Sequence, residues 1–276
     1  MSWWAVDVQS DPAIRDAVGA WLVSQTGQAV EERPDGILVG FAGDAVGAEG
    51  LCRLIRSQFE PAVAATPREL GDVDWTTRWR DGIAVRRLGR VTLVPSWLPV
   101  PREADAVIVI DPEMAFGTGE HGSTRASLRL LDGLVRPGDL VLDLGSGSGI
   151  LAIAAVRLGA RRAIGIEVDD EAIPVAVRNA LRNGVSDRVE FLEGDAADLA
   201  PLAGPANLVV SNILRLPNVA LLPAITRALV PGGTAIFAGM EVPEKVLFLP
   251  ELERAGYQPI GEMEDEGWWA VAARRP

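Results

Sequence analysis

At 276 residues and 48% hydrophobic content, the chain is long enough for one large domain, or a large and a small one, and too apolar to be disordered. Its net charge of −12 disfavours tight binding to nucleic acid or an anionic membrane and favours cationic partners. A single cysteine, Cys52, excludes an intrachain disulfide and a cysteine metal cluster, and a single histidine, His121, leaves little room for a histidine zinc site, so no metal is expected.

Residues 3–8 (W-W-A-V-D-V) read as a strand, and Asp11-Pro12 opens a helix to about Ser24 with Gly27 beyond it. A short strand near Gln28–Glu32 and the turn Pro34-Asp35-Gly36 lead to a strand at Ile37–Phe41. The helix Ala45–Phe59 carries Val46, Leu51, Leu54 and Ile55 at helical spacing, with Cys52 as a core residue, and Ala62–Ala65 adds a short strand. The order β-α-β-β-α-β predicts a small ferredoxin-like α+β domain over residues 1–66.

Residues 67–105 read as a connecting segment. Trp75 and Trp79 stand four apart, R-R-L and V-T-L-V flank Gly89 as a hairpin, and Trp97 follows. These tryptophans suit either interdomain packing or a substrate surface.

Residues 106–276 read as the main domain. After a strand at Val107–Ile110, the stretch D-P-E-M-A-F-G-T-G-E-H-G-S-T-R precedes a helix at Ala126–Leu134. Two readings stand: a loop that closes over a ligand, or a helix-capping loop with Ser123 or Thr124 as the cap. Val141–Gly149 (V-L-D-L-G-S-G-S-G) then reads as a buried parallel strand running into a glycine turn before the helix Ile150–Leu158. Gly145, Gly147 and Gly149 lack a Cβ, so the backbone can lie against a nucleotide-type cofactor. Glu167 ends the next apolar strand, A-I-G-I-E, where an acid accepts hydrogen bonds from ribose hydroxyls. The loop is G-x-G-x-G rather than the pyrophosphate fingerprint G-x-G-x-x-G. Asp143 brings a carboxylate near the ligand, which suits a cationic amino group and disfavours a nicotinamide oxidoreductase. The bland alternative is a tight turn in an α/β sheet.

Beyond Glu167 come a helix at Asp170–Asn183, a strand at Val189–Glu193 followed by Gly194-Asp195, and the strand N-L-V-V-S-N ending at Asn212. A helix at Pro217–Leu229, the turn Gly232-Gly233, a strand at Thr234–Gly239, a helix at Glu244–Ala255 and strands at Tyr257–Glu262 and Trp268–Ala273 complete the chain. Strands alternate with helices until the closing pair, which predicts an open, doubly wound α/β sheet with one antiparallel edge strand. No uncharged apolar run of about 18 residues occurs, and the start M-S-W-W-A-V-D lacks the basic-then-apolar pattern of a secretory signal, so a cytoplasmic protein is expected.

Residues from about Asp74 to Ala273 resemble the ribosomal-protein methyltransferases called PrmA. The matching stretches are D-W-T-T-R-W at 74–79, V-P-S-W at 94–97, A-F-G-T-G-E-H-G-S-T at 115–124, D-L-G-S-G-S-G-I-L-A-I-A-A at 143–155 and S-N-I-L at 211–214. The resemblance implies a seven-stranded methyltransferase sheet, S-adenosylmethionine as cofactor, and amine methylation of the eleventh large-subunit ribosomal protein, with the small domain recognising that protein. It implies cofactor contacts at Thr124, Gly145, Glu167 and Asn212; Asp143, Gly147 and Asp195 join them as candidate cofactor residues. Three positions depart from the family pattern: Glu167 for aspartate, Gly122 for proline and Arg215 for alanine.

Methyl transfer from a sulfonium needs an in-line nucleophile, so catalysis can be positioning without a dedicated base. A lysine acceptor, with a reference pKa of about 10.4, must lose its proton first, helped by desolvation. Asn212 is the candidate positioning residue, or else a strand-end turn asparagine. Competing readings are a methyltransferase of another protein or a small amine, and a non-catalytic cofactor-binding module.

Overall fold

The structure, a computed structural model, describes residues 4–26, 30–33, 35–59, 61–69, 84–101, 105–111, 117 and 119–275, with the backbone alone at Asp16. Chain contacts group into two compact units, Met1–Asp81 and Gly82–Pro276. The tryptophans expected in the connecting segment, Trp75 and Trp79, lie outside the described residues, as do Gly27, Gln28 and Pro34.

In the first unit, β1 (Trp4–Ser10), β2 (Glu31–Glu32), β3 (Leu38–Ala42) and β4 (Val63–Glu69) form an antiparallel sheet in the order β2-β3-β1-β4. A 3-10 turn at Pro12–Ile14, capped by Asp11, leads into α1 (Arg15–Thr26), and α2 spans Ala45–Phe59. Val6 and Val8 of β1 meet Leu22 of α1 and Leu51, Cys52 and Ile55 of α2 in one buried cluster. The periodicity behind α2 holds only in part, because Val46 and Leu54 are exposed. β4 continues past residue 66, pairing Thr66 with Asp7 and Glu69 with Trp4.

In the second unit, β5 (Arg86–Leu88) and β6 (Val91–Pro95) form the expected hairpin around Gly89. β6 pairs in parallel with β7 (Ala106–Ile110), so β7 belongs to a three-stranded sheet of its own. The main sheet has seven strands in the order β10-β9-β8-β11-β12-β14-β13, namely β8 (Leu140–Leu144), β9 (Arg162–Glu167), β10 (Val189–Glu193), β11 (Ala206–Asn212), β12 (Leu229–Glu241), β13 (Gln258–Asp265) and β14 (Trp268–Arg274). The first five of that order run parallel, and β14 pairs antiparallel with both β12 and β13. The reversed strand is therefore not the edge strand: β14 lies one place inside, and β13 takes the edge.

Successive side chains of a strand face opposite ways, and the core divides accordingly. Val141 and Val210 pack with α3 (Gly122–Leu134), α4 (Ile150–Arg157) and α5 (Ala172–Arg182). Leu142, Leu144 and Val209 pack with α6 (Ala196–Ala203), α7 (Arg215–Ala228) and α8 (Lys245–Arg254). Both faces are covered, as a parallel sheet requires. The sequence pattern missed α6, whose eight residues follow Asp195 directly, and it placed the start of α3 four residues late. The N-cap of α3 is His121, without a side-chain cap bond, so Ser123 and Thr124 lie in the first turn instead of capping it. Among the described residues no helix is long and apolar enough to cross a membrane.

Candidate active site

A cavity of about 570 Å³ runs along the carboxyl edge of the parallel strands. Its wall follows the sheet order: Gly194 and Asp195 after β10, Glu167 at the end of β9, Gly145 and Gly147 after β8, Asn212 at the end of β11, Gly239 in β12 and Trp268 at the start of β14. Ligands of open α/β sheets bind in such crevices outside the strand ends.

The glycine turn is held from both sides. Gly145 and Ser146 donate their N–H groups to the carbonyl of Ile166, and Gly147 donates to Glu167 Oε2 at 2.8 Å. The other oxygen of Glu167 accepts from Val168 at 2.8 Å and Asp169 at 3.1 Å. Glu167 thus accepts three backbone N–H groups while lining the cavity, so it shapes the turn as well as facing a ligand. At Gly145, φ is +71° and a Cβ would lie 2.6 Å from Ile213 Cγ2, which leaves glycine as the residue that fits.

Asp143 does not reach the cavity wall. It is fully buried beneath the turn, where Oδ2 accepts from Ala152 N–H at 2.9 Å in the first turn of α4 and Oδ1 has no partner among the described residues. Burial pushes its carboxyl up to about 8, against the lowering effect of the Ala152 bond and with a further rise from the negative charge of Glu167. Asp195 lines the cavity and caps α6, with Oδ1 accepting from Ala197 N–H at 2.8 Å.

Asn212 and Thr124 meet across 88 residues of chain: Asn212 Nδ2 donates to the Thr124 hydroxyl at 3.3 Å. Thr124 is fully buried behind the wall, and Ser123 takes the lining position next to it. Asn218 of α7 fixes the neighbouring backbone by donating to the carbonyls of Ile213 and Ala238, each at 2.9 Å. Arg215 turns away to Glu244, with Nε 3.2 Å from Oε1, and is not part of the wall.

Sequence reasoning missed the end of the cavity beyond Asn212. His121 lines it, bonded through Nδ1 to Ser123 Oγ at 2.7 Å and packed against Trp268 with ring centroids 4.1 Å apart and the ring planes tilted by 53°. Burial, and to a lesser degree Arg125, push the His121 imidazole below its ordinary value. The one signal available was the doubled tryptophan at 268–269, but pairing with α3 lies some 140 residues away in sequence. Gly122, the departure from proline, has a steric counterpart there: a Cβ would strike the Asp265 carbonyl oxygen and come within 2.8 Å of Trp268 Cδ1. Residues 112–116 and 118, which include much of the loop expected to close over a ligand, lie outside the described residues.

Residues 49–276 match the model of the ribosomal protein L11 methyltransferase (PrmA) family. The chain belongs to that family. It is 42% identical over 217 residues to the ribosomal protein L11 methyltransferase of Pelotomaculum thermopropionicum, covering 78% of this chain and 70% of the relative. The corresponding Thermus thermophilus protein is 41% identical over 205 residues, covering 74% and 78%. A solved structure of the ribosomal protein L11 methylase of Lactobacillus delbrueckii subsp. bulgaricus superposes with a TM-score of 0.62 at 30% identity, covering 70% of this chain and all of that one. The chain is accordingly a methyltransferase whose cofactor is S-adenosylmethionine.

The wall suits that cofactor. Glu167 offers a carboxylate for a ribose diol, the glycine turn offers bare backbone, and Ile166, Val168 and Ala196 offer an apolar slot for a base. Asn212 Oδ1 is buried without a hydrogen-bond partner among the described residues, an acceptor left for a ligand donor. Among the described residues no group of three histidine, cysteine, aspartate or glutamate side chains could hold a metal.

Proposed function

We propose that this chain methylates amines of ribosomal protein L11, at lysine side chains, the N-terminal α-amine or both. The observation that carries the reading is the ordering of the cavity along the sheet edge: ribose acid and glycine turn on β9 and β8, an amide with an unpaired acceptor on β11, and an aromatic side chain on β14. The relatives named for that activity support the acceptor.

S-adenosylmethionine supplies an electrophilic methyl group on a sulfonium. The chain supplies the rest by placement. Glu167 and Asp195 hold the nucleoside portion, Gly145 and Gly147 let it lie against the backbone, and Asp143 sets the turn from below through α4. Asn212, oriented by the Thr124 hydroxyl, presents its amide carbonyl to the acceptor amine and aligns the lone pair. Alignment of this kind removes much of the entropic barrier of a two-substrate reaction, and the apolar wall lowers the cost of bringing the amine in neutral. In the same reading, the small unit captures the protein acceptor and the second unit performs the transfer.

The test is transfer of labelled methyl from S-adenosylmethionine to purified ribosomal protein L11, with mass spectrometry locating the modified residues. Label on lysine or the α-amine is the expected result. Absence of label on that protein, with label on another lysate component, refutes the acceptor while leaving the methyltransferase intact.

A further inference from the structure

The far end of the cavity, beyond Asn212 in the sheet order, is lined by a tryptophan, Trp268. Trp268 stands on β14, four strand intervals from Glu167 on β9, or roughly 19 Å at about 4.8 Å per interval. That separation puts Trp268 and the proposed ribose acid at opposite ends of the cavity wall.

Its position is built with some care. Trp268 follows the β13–β14 turn, in which Glu266 has φ 47° and Gly267 φ 82°. Arg125, on the first turn of α3, is nearly inaccessible and grips that turn: Nε donates to Asp265 Oδ1 at 2.9 Å and Nη2 lies 2.7 Å from Glu266 Oε2, while Nη1 donates to the Glu120 carbonyl. Gly122 lets the turn close fully, because any side chain there would strike Asp265 and the indole. His121 backs the indole and is itself bonded to Ser123. Asn212, Ser123, His121 and Trp268 all line this end.

Resting on the reading of an amine acceptor given above, we propose that Trp268 is a specificity-determining residue that receives the acceptor amine, its indole face meeting the ammonium and aliphatic stem of the incoming chain before the ammonium gives its proton to solvent water. A lysine with a reference pKa of about 10.4 arrives charged at neutral pH. A cation over an indole face, within about 6 Å of its centre, is attracted by the ring quadrupole more strongly than by any aliphatic wall. The aromatic face orients the nitrogen, and Asn212 receives it. Arg125 and Gly122 are positioning residues for the indole and touch no substrate.

The experiment compares full-length wild type with Trp268→Phe, Trp268→Leu and Trp268→Ala on ribosomal protein L11, reading acceptor KM, kcat, S-adenosylmethionine Kd and melting temperature. Phenylalanine keeps a π face; leucine keeps apolar bulk without one, so a fold that needs only filling survives in that variant. The expected result is an acceptor KM raised roughly 3- to 30-fold in the leucine and alanine variants, near wild type for phenylalanine, with cofactor Kd within about twofold throughout. Unchanged acceptor KM in the leucine variant overturns the proposal. So does a leucine variant equal to phenylalanine, or a loss of cofactor affinity that parallels the loss of acceptor affinity, since either shows packing alone. If wild type transfers nothing to ribosomal protein L11, the acceptor reading falls and this proposal with it, whereas active wild type with indifferent variants overturns the role of Trp268 alone.

Discussion

Glu167 has a structural duty beside the ribose-binding role proposed for it. The strand-end position announces a ribose acceptor, but the three backbone N–H groups it binds make it the tie between β9 and the glycine turn. Glu167→Ala is therefore expected to weaken S-adenosylmethionine binding by about 1.5–3 kcal/mol, the range for losing hydrogen bonds to a charged acceptor. Glu167→Asp keeps the charge with a shorter reach and is expected to lose less; equal affinities of the two variants in calorimetry would contradict the ribose role. Asp143 supplies a second test at this scale. Its folded-state carboxyl is raised to about 8 by burial, while the unfolded chain titrates near the ordinary aspartate value of 3.8. A raised acid contributes stability that is complete below the unfolded value and is lost as pH rises towards 8. The cofactor-free wild type should thus lose melting temperature between pH 5 and pH 8 more steeply than Asp143→Asn, which stays neutral. Parallel pH profiles for the two proteins would show that the carboxyl is not held protonated.

Whole elements were legible where their signal is local. The glycine turn between β8 and α4, the alternation of strands with helices and the hairpin around Gly89 are all patterns within a few residues. What escaped depends on partners distant in sequence. Asn179 and Asn183 read only as polar residues of a helix, yet they cover the open edge of β7: Asn183 exchanges bonds with Val109 N–H and C=O, and Asn179 with those of Asp111. Asn179 Nδ2 also donates to the Ser148 carbonyl at 3.0 Å, and Ser148 Oγ donates to the Gly117 carbonyl at 2.7 Å. The glycine turn, α5 and both ends of the segment from Asp111 to Gly117 are thereby joined. Asn179→Ala would take a partner from the buried Ser148 carbonyl and from the half-buried N–H and C=O of Asp111, a cost of about 2–3 kcal/mol. In a unit of this size that is a melting temperature lower by roughly 5–10 °C. A variant melting within a degree or two of wild type would mean that water replaces the amide without loss. The order of the sheet edge escaped for the same reason, since a period-two pattern gives a strand its faces but not its neighbours, and β14 and β13 exchange places without altering any local signal.

For the whole molecule, division of labour is the open question. Among the described residues, those lining the cavity lie between His121 and Trp268, all within the unit Gly82–Pro276. The unit Met1–Asp81 has its own sheet and its own core around Val6, Leu22 and Ile55. If that unit captures the acceptor, a chain beginning at Gly82 should bind S-adenosylmethionine with nearly unchanged affinity and methylate full-length ribosomal protein L11 poorly. The loss should fall on acceptor KM while kcat at saturating acceptor is kept, because tethering raises the effective concentration of the amine at the cavity without changing the bond-making step. A short lysine peptide, which offers the small unit nothing to hold, should be methylated equally by the full and shortened chains. The alternative, that the small unit only shields or stabilises its neighbour, predicts intact transfer from any shortened chain that stays folded. Cofactor affinity and transfer rate measured on the same folded sample separate the two, and undiminished transfer to the full acceptor would remove the capture role from the small unit.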